Sequence, residues 1–202
     1  TDEVLEMMAL DPRFCRYLDM PFQHISDPVL KKMNRKITRK EIEATMARVR
    51  RKLPDVAWRT TFIVGFPTET DQDFEELVDF VSEGHFQHLG IFLYSDEDNI
   101  RSSKFGDPIP LSLKEERKNR LMEIQQKISR EHHQKMVGSL QQVLVGGFSS
   151  ETDLLLEGRN QYQGPEVDGV VYINEGNATS AGFHQVEITE AHEYDLVGKI
   201  LN

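Results

Sequence analysis

Gln23, Arg59, Gly65, Glu69 and Tyr94 lie in or at the ends of segments that read as strands, and together they form a candidate binding wall. Arg59 stands in strand register, where a guanidinium can grip a carboxylate through two hydrogen bonds; the alternative is a surface ion pair. Gly65 either supplies a positive φ to a tight turn or, having no side chain, lets a flat ring approach the backbone. Glu69 is either a ligand contact or a helix-start carboxylate favoured by the macrodipole. Tyr94 reads as a core ring with a polar tip. Gln23 and its neighbour His24 are a polar pair at a strand's C-terminal end, suited to a ligand or to the turn's own backbone.

Several chemistries are excluded by the residues present. The single Cys15 cannot hold an iron–sulfur cluster or start a disulfide framework. The sequence has no HxxxH zinc motif and no GxSxG elbow, and Gly65-Phe66-Pro67-Thr68-Glu69-Thr70 lacks the Gly-Lys-Ser/Thr ending of a phosphate loop. His132 and His133 are adjacent, so on a helix they point about 100° apart and cannot chelate one metal; both read as surface residues. No catalytic residue and no metal ligand is therefore expected in this chain.

The wall needs strands to carry it. Arg59-Thr60-Thr61-Phe62-Ile63-Val64 is rich in β-branched and aromatic residues, and Gly65-Phe66-Pro67 then makes a turn into a helix capped by Thr70 or Asp71. The strand is predicted over Val56–Val64, and the helix buries Phe74, Leu77, Val78 and Val81. A helix ending at Leu10, a short strand over Phe14–Met20 and a short helix begun by Ser26-Asp27-Pro28 come earlier in the chain. Thr38 and Glu41 form a capping box before the stripe Ile42, Met46, Val49 and Leu53. Leu89–Tyr94 is the third strand. This alternation predicts an α/β fold with parallel strands, and such folds bind ligands at strand C-terminal ends. Ser112 and Glu115 read as a second kind of start, a capping box opening a helix that runs to about Met136.

After Gly138 the texture changes. Short apolar runs at Val143–Val145, Leu154–Leu156, Val170–Ile173, Val186–Ile188 and Leu196–Gly198 predict a small all-β barrel of the OB type, with a boundary near Ser139. Of the net charge of −10, residues 140–202 carry −8, from ten acidic residues against Arg159 and Lys199. A tail so acidic repels phosphate backbones and suits a basic protein partner; it also serves solubility. There is no apolar run of the ~18 residues needed to span a bilayer and no secretory leader, so a cytoplasmic protein without a membrane partner is expected.

Tyr17-Leu18-Asp19-Met20-Pro21-Phe22-Gln23-His24-Ile25-Ser26-Asp27-Pro28, continuing to Arg35, resembles the radical SAM methylthiotransferases, as does Arg59–Pro67. Pro165-Glu166-Val167-Asp168-Gly169-Val170-Val171-Tyr172 resembles that family's TRAM domain. Pro21-Phe22-Gln23-His24-Ile25 differs from the Pro-x-Gln-Ser-Gly turn of the tRNA-modifying members. It is similar to the type that methylthiolates an aspartate of a small-subunit ribosomal protein; the alternatives are a tRNA methylthiotransferase and a non-catalytic binding fragment. The resemblance implies part of a radical SAM (β/α) TIM-like barrel over residues 1–138 and an OB-like TRAM barrel over 139–202. It implies S-adenosyl-L-methionine and two 4Fe–4S clusters in a longer enzyme, with the cluster cysteines upstream of Thr1 and this chain alone inactive. It also implies that S-adenosylmethionine is cleaved reductively, that the adenosyl radical takes hydrogen from the aspartate β-carbon, and that a methylthio group is added there. Arg59 would face the methionyl carboxylate, Gly65, Phe66 and Glu69 the adenosine, and Gln23 and Tyr94 the cofactor or substrate. Two departures from the family pattern stand out: Thr68 replaces a glycine, and Ser95-Asp96-Glu97-Asp98-Asn99-Ile100 replaces Ser-x-Glu-Glu-Gly-Thr.

Overall fold

The strand predicted over Val56–Val64 is β2 (Ala57–Val64) of the computed structural model, which describes residues 1–97, 102–149, 151–176 and 181–201. It is the centre of a three-stranded sheet of order β1-β2-β3, flanked by β1 (Tyr17–Asp19) and β3 (His88–Leu93). β2 and β3 run parallel, from Arg59 opposite His88 to Val64 opposite Leu93. Before them come helices α1 (Asp2–Leu10), α2 (Asp27–Lys32) and α3 (Arg39–Lys52). Helix α4 (Asp71–Ser82) is the crossover between β2 and β3. Trp58, Phe62, Phe80 and Phe86 are fully buried, and Phe62 meets Phe86 edge-on at 5.9 Å. The predicted stripes of α3 and α4 are all buried in the same core. Burying each such side chain contributes about 1.5–3 kcal/mol, which is what holds short helices that would not persist alone.

The capping box expected at the start of α3 forms, and α4 opens on a second one where only an N-cap was expected. Thr38 accepts from the Glu41 amide while Glu41 reaches back to the Thr38 amide, and Thr70 with Asp73 repeats the arrangement on α4. Thr70 is thus the N-cap, not Asp71.

Other expectations are corrected. The strand predicted over Phe14–Met20 is confined to Tyr17–Asp19. The Met20 amide still donates to Arg59 O, but Pro21 has no N–H to continue the ladder. Gln23 restores pairing as an isolated parallel bridge to Phe62, at a positive φ of 73°. Helix α5 (Leu111–Gln134) begins before Ser112, with Pro110 O accepting from the Leu113 and Lys114 amides, so Ser112 lies inside the first turn and is not its cap. His133 is buried, its Nδ1 3.1 Å from His192 O, and is not the surface residue expected.

The chain divides into two units, Thr1–Asp11 with Leu18–Gln125, and Pro12–Tyr17 with Gln126–Asn202. The second contains a closed barrel of order β4-β5-β6-β8-β7: β4 (Leu140–Phe148), β5 (Leu156–Arg159), β6 (Val171–Glu175), β7 (Gly182–Ala191) and β8 (Leu196–Ile200). β6 and β8 pair in parallel, and every other pair is antiparallel. Val143, Val145, Val171, Ile173, Val186, Ile188 and Leu196 fill the interior. The run Leu154–Leu156 joins the barrel only at its end. Leu154 sits in a turn with its amide on Thr152 Oγ1, and its side chain is exposed. Among the described residues no helix is long and apolar enough to cross a membrane.

Candidate functional site

The C-terminal ends of β2 and β3 border a cavity of about 420 Å³. Gln23, Phe66 and Tyr94 line it, together with Ile63, Ser95 and the end of α2 from Lys32 to Arg35. The Tyr94 amide donates to Val64 O, which extends the parallel ladder one step and fixes the ring at the strand end. Phe66 packs edge-to-face on Tyr94 at 5.2 Å. The Tyr94 hydroxyl is buried and has no hydrogen-bond partner among the described residues. A buried hydroxyl without a partner carries a cost of about 1–3 kcal/mol.

Gly65, Glu69 and Arg59 are not among the lining residues. Gly65 has φ 74°, and a Cβ there would lie 2.3 Å from Lys114 Cγ. The space beside this glycine is thus filled by a lysine stem. Lys114 Nζ goes on to donate to Tyr94 O at 2.7 Å and to Asp107. Gly65→Ala therefore combines an unfavourable φ with a collision, and is expected to destabilise the fold by about 1–3 kcal/mol in urea titration. A midpoint unchanged from wild type would rule out this packing. Thr68, which stands where the family has glycine, does not adopt a positive φ; its hydroxyl is buried without a partner among the described residues.

Glu69 sits beneath the turn. Its Oε2 accepts from the Gly65 amide at 2.7 Å and the Phe66 amide at 3.3 Å, and its Oε1 accepts from Arg117 at 2.8 Å. Burial nonetheless pushes its carboxyl up to about 7, against the pull of Arg117 and the two amides. His24 is fully buried beside it, with Nε2 3.8 Å from Glu69 Oε2. The Ser26 amide donates to His24 Nδ1 at 3.0 Å, which leaves the ring proton on Nε2 when the ring is neutral. Burial holds this imidazole down at about 4, with Asp73 opposing and Arg117 adding to the effect. Arg117 completes the network by donating to Asp71 at 2.6 Å.

Arg59 is placed differently. It lies near the start of β2, about 16 Å from Val64 at the usual strand rise, and its Nη1 is 3.2 Å from Asp19 Oδ2. The geometry thus gathers Gln23, Phe66 and Tyr94 at one cavity, Gly65 and Glu69 in the turn behind it, and Arg59 farther along the strand. Of the Ser95–Ile100 segment, Ser95 and Glu97 line the cavity, while Asp98, Asn99 and Ile100 lie outside the described residues.

Lys114, Arg117, Asn34 and Arg35 were not legible as site residues. Lys114 and Arg117 are three apart and share a helix face with Leu121, which offers a weak sequence signal for an inward polar contact.

A model of the radical SAM superfamily matches residues 1–81, and a model of the TRAM domain matches residues 137–201. The "Ribosomal protein uS12 methylthiotransferase RimO" of Desulfotalea psychrophila is 46% identical over 201 residues, covering 100% of this chain and 45% of that protein. The protein of the same name from Bdellovibrio bacteriovorus is 48% identical over 201 residues, 100% of this chain and 44% of its own length. That of Geobacter sulfurreducens is 43% identical over 202 residues, 100% and 45%. The chain belongs to the radical SAM methylthiotransferase family. It spans just under half the length of these relatives.

Radical SAM membership implies S-adenosylmethionine and iron–sulfur chemistry in general. The cavity fits the organic part of that pair, since Phe66 and Tyr94 line it with aromatic rings and Gln23 with an amide. A sequence with the single, exposed Cys15 does not offer the set of thiolates a cluster takes.

Proposed function

We propose that this chain is part of a radical SAM methylthiotransferase that adds a methylthio group to the β-carbon of an aspartate in small-subunit ribosomal protein uS12. The observation that carries the reading is identity of 43–48% across the entire chain to proteins bearing that name. In this reading residues 1–138 are the C-terminal part of the radical SAM domain and 139–202 the TRAM domain. S-adenosylmethionine, bound with a 4Fe–4S cluster held elsewhere in the longer protein, supplies the hydrogen-abstracting radical; a second cluster belongs to the sulfur-donating half. The residues of this chain bind and orient. Phe66 and Tyr94 present ring faces to the adenosine, Gln23 offers its amide beside them, and the Gly65–Glu69 turn holds Phe66 in position.

The acidic barrel supports a protein substrate over RNA. Few cations are available there to release counterions from a phosphate backbone. The full-length enzyme, incubated with S-adenosylmethionine and a reductant, is expected to convert the uS12 aspartate to its methylthio form, read by peptide mass spectrometry, and to leave tRNA unmodified. Modification of tRNA, with tight and salt-sensitive tRNA binding, would reverse the assignment. Arg59→Ala in the same protein tests the remaining contact: unchanged S-adenosylmethionine affinity removes Arg59 from the cofactor site.

A further inference from the structure

Helix α2 ends at the cavity, with residues 32–35 on its lining. After the C-cap Met33 the chain turns through Asn34, which has a left-handed φ of 59°. The Arg35 amide donates to Leu30 O at 2.8 Å and the Asn34 amide to Lys31 O at 3.1 Å. These are the two bonds of a Schellman turn, with Asn34 at its left-handed position, and they fix the backbone from which Arg35 departs. Gln23 and Asn34 are two of the three non-glycine residues with positive φ among the described residues, and both line this cavity. Left-handed backbone at such residues costs free energy, so its concentration around one cavity is evidence of a positioned site.

Arg35 lines the cavity, and among the described residues no hydrogen bond, ion pair or ring contact involves its side chain. Arg59, by contrast, already has Asp19. Lys32, the other cation on the lining, rests over the Phe105 ring at 5.6 Å. Among the described residues, Glu97 is the one carboxylate on the lining.

We infer that Arg35 is the carboxylate anchor of this cavity. A planar guanidinium without a partner among the described residues matches a carboxylate through two parallel hydrogen bonds, a geometry that lysine cannot reproduce. The ligand chemistry is that of an amino-acid carboxylate, and two sources carry it under the function proposed above: the methionyl end of S-adenosylmethionine and the side chain of the substrate aspartate. The inference rests on that reading only for the second source.

The test is calorimetric titration of full-length, cluster-loaded protein, so that binding is read apart from turnover. Four probes are used: S-adenosylmethionine, its decarboxylated analogue, a uS12 peptide with the target aspartate, and the same peptide with asparagine. Arg35→Gln is expected to weaken one carboxylate-bearing probe about 10- to 100-fold and to leave its carboxylate-free counterpart within about twofold. Arg35→Lys is expected to fall between the two. Which probe responds identifies the source. Equal weakening with and without the carboxylate would mean a merely structural role and would overturn the assignment. So would unchanged affinity for all four probes, or a wild-type protein with no carboxylate preference toward either pair. Asn34→Gly keeps the left-handed turn and is expected to match wild type, while Asn34→Val, which disfavours it, should imitate Arg35→Gln in direction. A protein that binds S-adenosylmethionine through Arg35 but ignores the peptide would leave the anchor standing and remove the uS12 reading.

Discussion

Replacing Arg117 by alanine is expected to destabilise the fold by about 3–5 kcal/mol, the range for removing one partner of a buried ion pair. The Arg117 and Glu69 side chains are 3% and 0% exposed, so water cannot take over the lost hydrogen bonds. Arg117 also stacks over the Phe74 ring at 5.2 Å, and alanine would open a void there. The cost is dominated by the carboxyl left behind. With Arg117 gone, Glu69 loses the strongest opponent of burial, and its carboxyl should move further up than about 7. Arg117→Met combined with Glu69→Gln keeps most of the volume while removing both charges, and should recover much of the loss. Urea titrations of wild type and the two variants check this. If Arg117→Ala costs less than about 1 kcal/mol, the range of exposed pairs, the pair is not the buried element described.

The second large effect is in the pH dependence of stability, because Glu69 and His24 are shifted in opposite directions. Glu69 has its folded carboxyl raised from 4.5 to about 7. Between those values the unfolded chain has lost a proton the folded chain keeps. The stabilisation is therefore present below about 4.5 and lost as pH rises through about 7. His24 has its folded imidazole lowered from 6.5 to about 4. Its stabilisation is present above 6.5 and lost as pH falls through about 4. From pH 4.5 to 6.5 the two slopes are equal and opposite, so the wild-type contribution of the pair is flat. Glu69→Gln should unmask the histidine, so that stability climbs on the order of 3 kcal/mol between pH 4 and 6.5. His24→Gln should unmask the glutamate, and stability should fall by a similar amount between pH 4.5 and 7. Asp73 also faces this network, with hydrogen bonds from Ser26 and Thr70 overcoming burial to hold its carboxyl low. It is common to both variants, so the difference between their profiles isolates the pair. Parallel, flat profiles for the two variants would contradict the opposed shifts.

Much of the fold was legible because its determinants are local. Thr38 with Glu41 and the stripes on α3 and α4 are written within a few residues, and each forms where expected. Local signals failed where a distant group decided. Ser112 has the spacing of a cap, yet Pro110 supplies the first carbonyl and Lys114 is drawn inward to Tyr94 and Asp107. Leu154 has the composition of a strand residue but turns with Thr152. His133 is buried against a carbonyl 59 positions away. The same division holds at the cavity. Gln23, Phe66 and Tyr94 follow from strand ends, which periodicity reveals. Arg35 reaches the cavity through a left-handed turn at Asn34, and no periodicity marks that conformation.

Lys114 is 2% exposed, with its ammonium tied to the carbonyl at the end of one strand and its stem laid across the turn at the end of another. An amine-reactive reagent can label it only when the helix lifts from both. Its acylation rate, compared with that of the other lysines, is therefore a direct clock for the opening of this wall, and a ligand seated on the Phe66–Tyr94 face would slow that clock without touching the lysine.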